Sequence, residues 1–234
     1  MGKPSLAERL GYGPKDRLLI VNCDDLGSSH SANIATFRST VYGVATSATL
    51  MVTCPWAREA ARKFKGLSVG VHLTLTCEYR GYRWRGLTKG ASLHDEQGFL
   101  PATGEAVAAR IDAKDARAEC RSQIETALSW GLDVTHLDSH MYALEARSDL
   151  FDLYLDLAEE FRLPAVRGAK QSPGGGCFDA KKGRRTRCCV HRPHDLPVAE
   201  TDARRILRGN PEAVAGGERN LRPPSPGWRG TARL

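Results

Sequence analysis

Along residues 1–170, apolar runs typical of strands alternate with segments in which apolar residues recur at the helical period. Apolar, β-branched runs predict strands at 17–23, 44–52, 67–75, 133–137 and 165–168. The segments between them predict amphipathic helices at 28–42, 55–65, 115–130 and 148–161, with one long loop at 76–114. Strands and helices that alternate in this way predict an α/β fold with parallel strands and right-handed crossovers, either an open doubly wound sheet or a barrel.

Capping residues set the ends of the predicted helices. Ser28 or Ser29 is expected to cap the first helix, and Pro55 opens the second, where a missing N–H is tolerated. Asp115 is expected to start the third helix and Ser148 to cap the fourth.

The last 64 residues, 171–234, differ in composition from the rest. They hold nine Leu, Ile, Val and Phe residues and seven of the 12 prolines, which leaves too little apolar surface for a packed core. We therefore predict an α/β domain at 1–170 and a mostly unpacked Arg-, Pro- and Gly-rich tail at 171–234, with one short helix near 198–207. The abrupt change leaves a second interpretation open, in which the tail is the translation of a shifted reading frame.

The net charge of +7 belongs to this tail, because residues 1–170 contain 21 basic and 21 acidic residues. A nucleic-acid- or polyanion-binding arm stays an alternative function. Nucleic acid is nevertheless not the expected partner, since no aromatic residues alternate with the arginines.

Cysteine usage and hydropathy exclude several classes of protein. The seven cysteines form no Cys-x-x-Cys pair, which argues against a disulfide framework and against a zinc finger. No apolar run approaches the roughly 20 residues that span a bilayer, and the first residues do not resemble a secretion signal. We therefore expect a cytoplasmic protein without a membrane span.

Acidic and imidazole side chains collect in three short motifs. These are NCDDLG at 22–27, GVHLTLT at 70–76 and THLDSH at 135–140, and each lies at the end of a predicted strand. Ligands of α/β proteins bind at the carboxyl ends of parallel strands, so we expect the three motifs to meet at one edge as an active site.

The paired aspartates of the first motif allow two interpretations. Asp24 and Asp25 either cap the turn that follows, or divide two tasks, one binding a metal ion and one a proton. Successive strand residues point to opposite sides, which would separate the two carboxylates. Asn22 is placed to orient them.

The histidines of the other motifs are candidate metal ligands. His72 alone would fit a buried core position, but opposite two aspartates it fits a ligand of Zn²⁺ or a related ion. His136 and His140 flank Asp138. We expect His140 to bind the metal and Asp138 to hold an imidazole or the metal's water.

Taken together, the motifs resemble those of the YdjC-like carbohydrate deacetylases, the chito-oligosaccharide and hopanoid-associated deacetylase group. The family patterns are NADDFG or NADDLG, G-[LV]-H-L-x-L-T and T-H-L-D-S-H, and the resemblance runs from about Leu18 to Arg167. It implies a (β/α)-barrel-like fold. It also implies a metal-dependent hydrolase that removes acetyl groups from N-acetylated amino sugars or chito-oligosaccharides.

The same resemblance implies roles for individual residues. It places the ligands of one divalent cation on Asp25, His72 and His140, and the catalytic base on Asp24, although the two aspartates could exchange roles. The family implies Mg²⁺. Two imidazoles and one carboxylate favour Zn²⁺ by ligand chemistry, and both ions stay open.

Substrate contacts are less defined by the pattern. The long loop carries Tyr79, Tyr82 and Trp84, which either form a sugar-stacking wall or pack within the loop. Tyr142 stands where the family often has a second histidine, so we expect it near the ligands or the substrate, as we do for Asn22, His136 and Asp138.

The residues after Arg167 depart from the family. They lack its remaining strands and its late His-Pro segment, which VHRPHD at 190–195 resembles only superficially. We expect a barrel that is incomplete at the C-terminus, with an exposed strand edge that could pair with another chain in a homodimer. The alternative function is a catalytically inactive remnant that keeps the metal or sugar pocket.

Overall fold

The structure is a computed structural model that describes residue 8, residues 11–166 and three short strands between 177 and 191. The strands are β1 (Asn22–Leu26), β2 (Ser47–Leu50), β3 (Val69–Leu73), β4 (Val134–Ser139), β5 (Ala165–Val166), β6 (Cys177–Asp179), β7 (Arg184–Thr186) and β8 (Val190–His191). The helices are α1 (His30–Val41), α2 (Ala57–Lys63), α3 (Gly104–Arg110), α4 (Ala113–Ser129) and α5 (Ser148–Glu160). A 3₁₀ segment, His140–Glu145, follows β4.

The strand order confirms the α/β prediction. The sheet runs β1-β2-β3-β4-β5-β8, with the first five strands parallel and β8 antiparallel to β5. The five parallel strands follow one another in chain order across the sheet, whereas a doubly wound sheet reverses its strand order. Within the described residues the sheet is open at β1. A barrel that is incomplete at the C-terminus and a homodimer through an exposed strand edge stay predictions.

One apolar cluster joins the sheet to the helices. Leu50 and Val71 from the strands belong to it with Phe64, Ile124 and Leu157 from the helical layer, all fully buried. Each such side chain contributes about 1.5–3 kcal/mol relative to leaving it in water. None of the described helices is both long and apolar enough to span a bilayer.

The first strand lies further along the chain than predicted. Residues 17–21 are outside β1, and Leu19 and Ile20 are 76% and 41% exposed. Apolar residues in a row favour a strand, but a strand also needs a partner, and β2 begins at Ser47, opposite Asn22. Because of this shift, the acidic pair lies inside the strand and not after it.

Helix capping agrees with the prediction at one end and differs at another. Ser29 caps α1, and its side chain accepts a hydrogen bond of 3.0 Å from the N–H of Ala32. The prediction that Ser148 caps α5 is wrong, because Ser148 is the first helical residue. Arg147 occupies the cap position and makes no capping bond with its side chain.

The segment predicted as one long loop contains α3, and α4 starts before the predicted Asp115. Asp112 caps α4 by accepting a hydrogen bond of 2.7 Å from the N–H of Lys114. The Asp115 carboxylate instead accepts hydrogen bonds from Ser92, 3.0 Å from its N–H and 2.7 Å from its hydroxyl. This aspartate therefore ties the loop to the helix.

A second carboxylate on α4, that of Glu119, binds the same loop at two earlier residues. Glu119 is fully buried and accepts hydrogen bonds from the N–H groups of Leu87 and Thr88, 2.9 and 2.8 Å long. Gln123 donates to Glu119 and also bonds both the N–H and the carbonyl of Thr74, just beyond β3. The loop that follows β3 is thus held close to the end of that strand.

The predicted tail is described only in part. Strands β6 and β7 pair with each other, and β8 pairs with β5. The predicted boundary at residue 170 and the predicted helix near 198–207 lie outside the described residues.

Gly70, within β3, allows this strand to pack closely against His136 of β4. A Cβ atom at this position would lie 2.5 Å from the carbonyl oxygen of His136 and 2.8 Å from its ring. The first residue of GVHLTLT is therefore required by the close packing of β3 against β4.

We expect Gly70→Ala to destabilise the fold by about 3 kcal/mol, because neither the backbone oxygen nor the buried ring can yield. Urea unfolding followed by circular dichroism measures the change. Gly81→Ala is the matched control, since a Cβ there meets nothing within 4 Å. Equal unfolding midpoints for the two variants would contradict this account of the packing.

Candidate active site

The acidic pair lies in a β-bulge. Cys23 pairs with Ala48 and Leu26 with Leu50, so β1 has one residue more than β2 between the two pairs. Asp25 takes a left-handed conformation, φ 59°. The expectation that the adjacent carboxylates point to opposite sides is wrong, because the bulge turns both into one pocket.

The Asp25 carboxylate lies between two imidazoles. Its Oδ1 atom is 3.4 Å from Nε2 of His72 and 3.2 Å from Nδ1 of His140. The two rings are 5.0 Å apart between centroids, and both histidines are 3% exposed. The structure therefore brings together the three residues that the family resemblance marks as ligands.

The other nitrogen of each ring faces a second carboxylate. Nδ1 of His72 is 3.0 Å from Oδ2 of Asp138, a close contact outside hydrogen-bond geometry. Nε2 of His140 is 3.1 Å from both carboxylate oxygens of Glu78. Sequence reasoning missed Glu78. The available signal was its position two residues after GVHLTLT.

Asp24 is oriented by the polar residue that precedes the pair. The Asn22 amide donates hydrogen bonds of 2.7 Å to Asp24 and 3.0 Å to the hydroxyl of Thr49. Its carbonyl oxygen accepts a bond of 2.6 Å from the hydroxyl of Ser47. The two hydroxyls hold the amide, so Asn22 presents its N–H to the exposed carboxylate of Asp24.

The pocket has a volume of about 380 Å³ and an aromatic residue on its wall. Met141 and Tyr142 are about half exposed, and both have left-handed backbones, φ 53° and 52°. Such strain at non-glycine residues costs of order 1–3 kcal/mol and collects at functional sites. The pocket is lined by Asn22, Asp24, Asp25, His72, Asp138, Ser139, His140, Met141, Tyr142 and Val166.

Two of the sequence candidates lie elsewhere. His136 is buried over Gly70 and does not line the pocket. Trp84 is 3% exposed, and its indole N–H donates to the carbonyl of Thr76, so it packs in the interior of the loop.

Local charges move the pKa values of the cluster. Hydrogen bonds from His140 and His72 hold the pKa of Asp25 well below its usual range, against the effect of burial. Burial lowers the pKa of His72, but Asp138 and Asp25 outweigh it and raise that pKa to about 9. Burial likewise opposes the charge on His140, yet Asp25 and Glu78 raise its pKa. The His72 imidazole is therefore protonated on both nitrogens near neutral pH when no cation is bound.

His136 behaves in the opposite way. Burial lowers its pKa to about 4, although the charge of Asp138 favours protonation. Its ring is therefore neutral, and Nδ1 lies 2.9 Å from the hydroxyl of Thr135.

The residues fit a divalent cation. One ligand atom each from Asp25, His72 and His140 lie within 4.8 Å of one another. One carboxylate and two imidazoles suit Zn²⁺ and related transition ions, and Mg²⁺ prefers oxygen ligands. Asp24, Asp138 and His72 form a second such group that shares one imidazole with the first.

Comparison with known proteins agrees with this geometry. The sequence pattern of the YdjC-like protein family matches residues 18–213. The chain belongs to this family. A YdjC-like relative named carbohydrate deacetylase, from Thermus thermophilus, is 41% identical over 158 residues, which are 68% of this chain and 56% of that protein. A second, from Geobacillus stearothermophilus, is 41% identical over 152 residues, 63% of this chain and 58% of that protein.

A solved structure supports the fold of this YdjC-like chain. It is an Enterococcus faecalis V583 protein named for a proposed cellobiose-phosphate cleavage, with a TM-score of 0.62 and 27% identity. The match covers 68% of this chain and 61% of that one. The chain spans a little over half the length of the curated relatives it matches.

We expect the Zn²⁺ affinity of the chain to rise by about tenfold or more per pH unit up to pH 9, more steeply where His140 must also lose a proton. A cation must displace a proton from His72, whose pKa of about 9 lies above the ordinary 6.5. The competition with this proton therefore lowers the zinc affinity about tenfold for each pH unit below 9. Competition against a zinc chelator at pH 6.5, 7.5 and 8.5 measures the affinity. His94→Ala, outside the pocket, serves as the control. An affinity that does not change with pH would contradict the protonation of His72.

Proposed function

We propose that the chain is a metal-dependent carbohydrate deacetylase that hydrolyses the N-acetyl group of amino sugars or chito-oligosaccharides. The observation that carries the proposal is the Asp25 carboxylate between two buried imidazoles at the base of an open pocket. The names of the curated relatives supply the substrate class.

In this proposal Asp25, His72 and His140 hold one divalent cation. The donor set favours Zn²⁺ by ligand chemistry, and the family resemblance favours Mg²⁺. When bound, the cation polarises the acetyl carbonyl and lowers the pKa of water in the site. The contact of 3.0 Å between His72 and Asp138 supports a role of Asp138 in fixing the His72 ring.

Asp24 acts as the base in the proposed mechanism. Its carboxylate borders the same pocket and accepts a hydrogen bond of 2.7 Å from Asn22, which fixes its direction. A carboxylate held this way can take the proton of a water that attacks the acetyl carbonyl. Asp25, His72 and His140 form one candidate ligand group without Asp24, so a cation held by these three leaves the Asp24 carboxylate for proton transfer.

Tyr142 is the proposed contact for the sugar ring. Its side chain borders the pocket, and about half of its surface is exposed. An aromatic face covers an apolar ring surface at little cost in side-chain entropy, because Tyr has only two rotatable side-chain torsions. Trp84 is too deeply buried for this task.

Acetate release from N,N′-diacetylchitobiose, with Zn²⁺ or Mg²⁺ added, tests the proposal. We expect metal-dependent acetate from the wild type and a loss of 10²–10⁴-fold in Asp24→Asn, the range for removal of a general base. Asp152→Asn, on the exposed side of α5, is the matched control and should keep full activity.

Zinc binding by the same variants separates the roles of the two aspartates. Asp24→Asn should bind zinc as the wild type does, whereas Asp25→Asn should lose at least tenfold in affinity. The reverse pattern would exchange their roles. A folded, zinc-loaded wild type that releases no acetate from any acetylated sugar would favour the inactive remnant and contradict the proposal.

A further inference from the structure

Within the part of the chain that the structure describes, Glu78 is the one acidic residue beside the proposed cation ligands that no sequence motif contains. It lies on the loop after β3, and its side chain is 26% exposed. Both of its oxygens are 3.1 Å from Nε2 of His140, with hydrogen-bond geometry. The carboxylate therefore meets the ring at the nitrogen that is turned away from Asp25.

The two nitrogens of His140 have different surroundings. Nδ1 faces Oδ1 of Asp25 at 3.2 Å, whereas Nε2 faces Glu78. A neutral imidazole carries its proton on one nitrogen and a lone pair on the other. A carboxylate accepts hydrogen bonds and cannot donate one when ionised. When a cation lies between His140 and Asp25, Glu78 thus favours the proton on Nε2 and leaves the lone pair of Nδ1 for the cation.

The backbone next to Glu78 is fixed. The N–H of Cys77 donates a hydrogen bond of 2.6 Å to the carbonyl of Pro101, and the N–H of Trp84 donates to the Cys77 sulfur at 3.2 Å. Cys77 itself is 1% exposed. Because its neighbour cannot shift, the Glu78 side chain starts from a defined position.

We propose that Glu78 is a positioning residue that holds the His140 ring with its proton on Nε2, so that Nδ1 binds the cation. The inference rests on the cation site of the proposed function. It assigns Glu78 the same relation to His140 that Asp138 has to His72, in which a carboxylate lies at the ring nitrogen remote from Asp25. Such partners raise the basicity of the ligand and fix its orientation.

Zinc affinity of Glu78 variants gives the first test. We expect Glu78→Ala to bind Zn²⁺ 10–100-fold more weakly than the wild type, the usual loss for such a partner. Glu78→Gln keeps an oxygen that accepts the Nε2 proton and should lose less than tenfold. Glu96→Ala, an exposed change on the same loop, should leave the affinity unchanged. A Glu78→Ala affinity within twofold of the wild type would overturn the inference.

The protonated nitrogen of His140 gives a second test that uses no Glu78 variant. In the zinc-loaded wild type, long-range ¹H–¹⁵N spectra should show His140 with a proton on Nε2 and zinc on Nδ1. His140→Gln assigns the signal. Zinc on Nε2 would refute the positioning role, whatever the variants do.

Neither measurement depends on acetate release. If the wild type deacetylates and Glu78→Ala binds zinc normally, only the role of Glu78 is wrong. If zinc binding and the spectra follow the expectation but no acetylated sugar is hydrolysed, only the deacetylase proposal is wrong.

Discussion

The site is organised around two buried imidazoles, those of His72 and His140, whose ring centroids are 5.0 Å apart. A carboxylate faces each of their ring nitrogens. Asp25 lies between the rings, and Asp138 and Glu78 lie at their outer nitrogens. An unpaired charge in such a place costs several kcal/mol, so each carboxylate must arrive with defined geometry. The carboxylates come from β1, β4 and the loop after β3, three parts of the chain that meet only because parallel strands end at one edge.

The backbone accepts local strain to bring these groups together. The bulge in β1 and the left-handed Asp25 turn two adjacent carboxylates into one pocket. Met141 and Tyr142 take left-handed conformations directly after the ligand His140. The strained residues border the pocket, while the apolar cluster between sheet and helices supplies the stability that offsets them.

Much of the candidate site could be predicted from residue types, because the three motifs contain the residues that cluster in the pocket and the strand order brings them together. The predictions failed where geometry depends on partners that are distant in sequence. Glu78 contacts His140, which lies 62 residues later in the sequence. The loop that carries Glu78 is held in place by hydrogen bonds to Glu119 and Gln123. The bulge was missed because alternation along a strand assumes a regular ladder, and nothing in NCDDLG marks the extra residue.

The cation site does not depend on closure of a barrel. Its three ligands come from β1, from β3 and from the residue that follows β4, and each of these strands is hydrogen-bonded to at least one parallel neighbour within the described residues. The wall of the pocket, unlike the group of candidate ligands, includes a residue of β5. This residue is Val166, the last one described before β6. The candidate cation ligands thus come from the first four strands and the residue after them, whereas the pocket wall also includes β5 and the left-handed residues Met141 and Tyr142. The proposed cation binding and the proposed sugar contact therefore rest on different parts of the sheet.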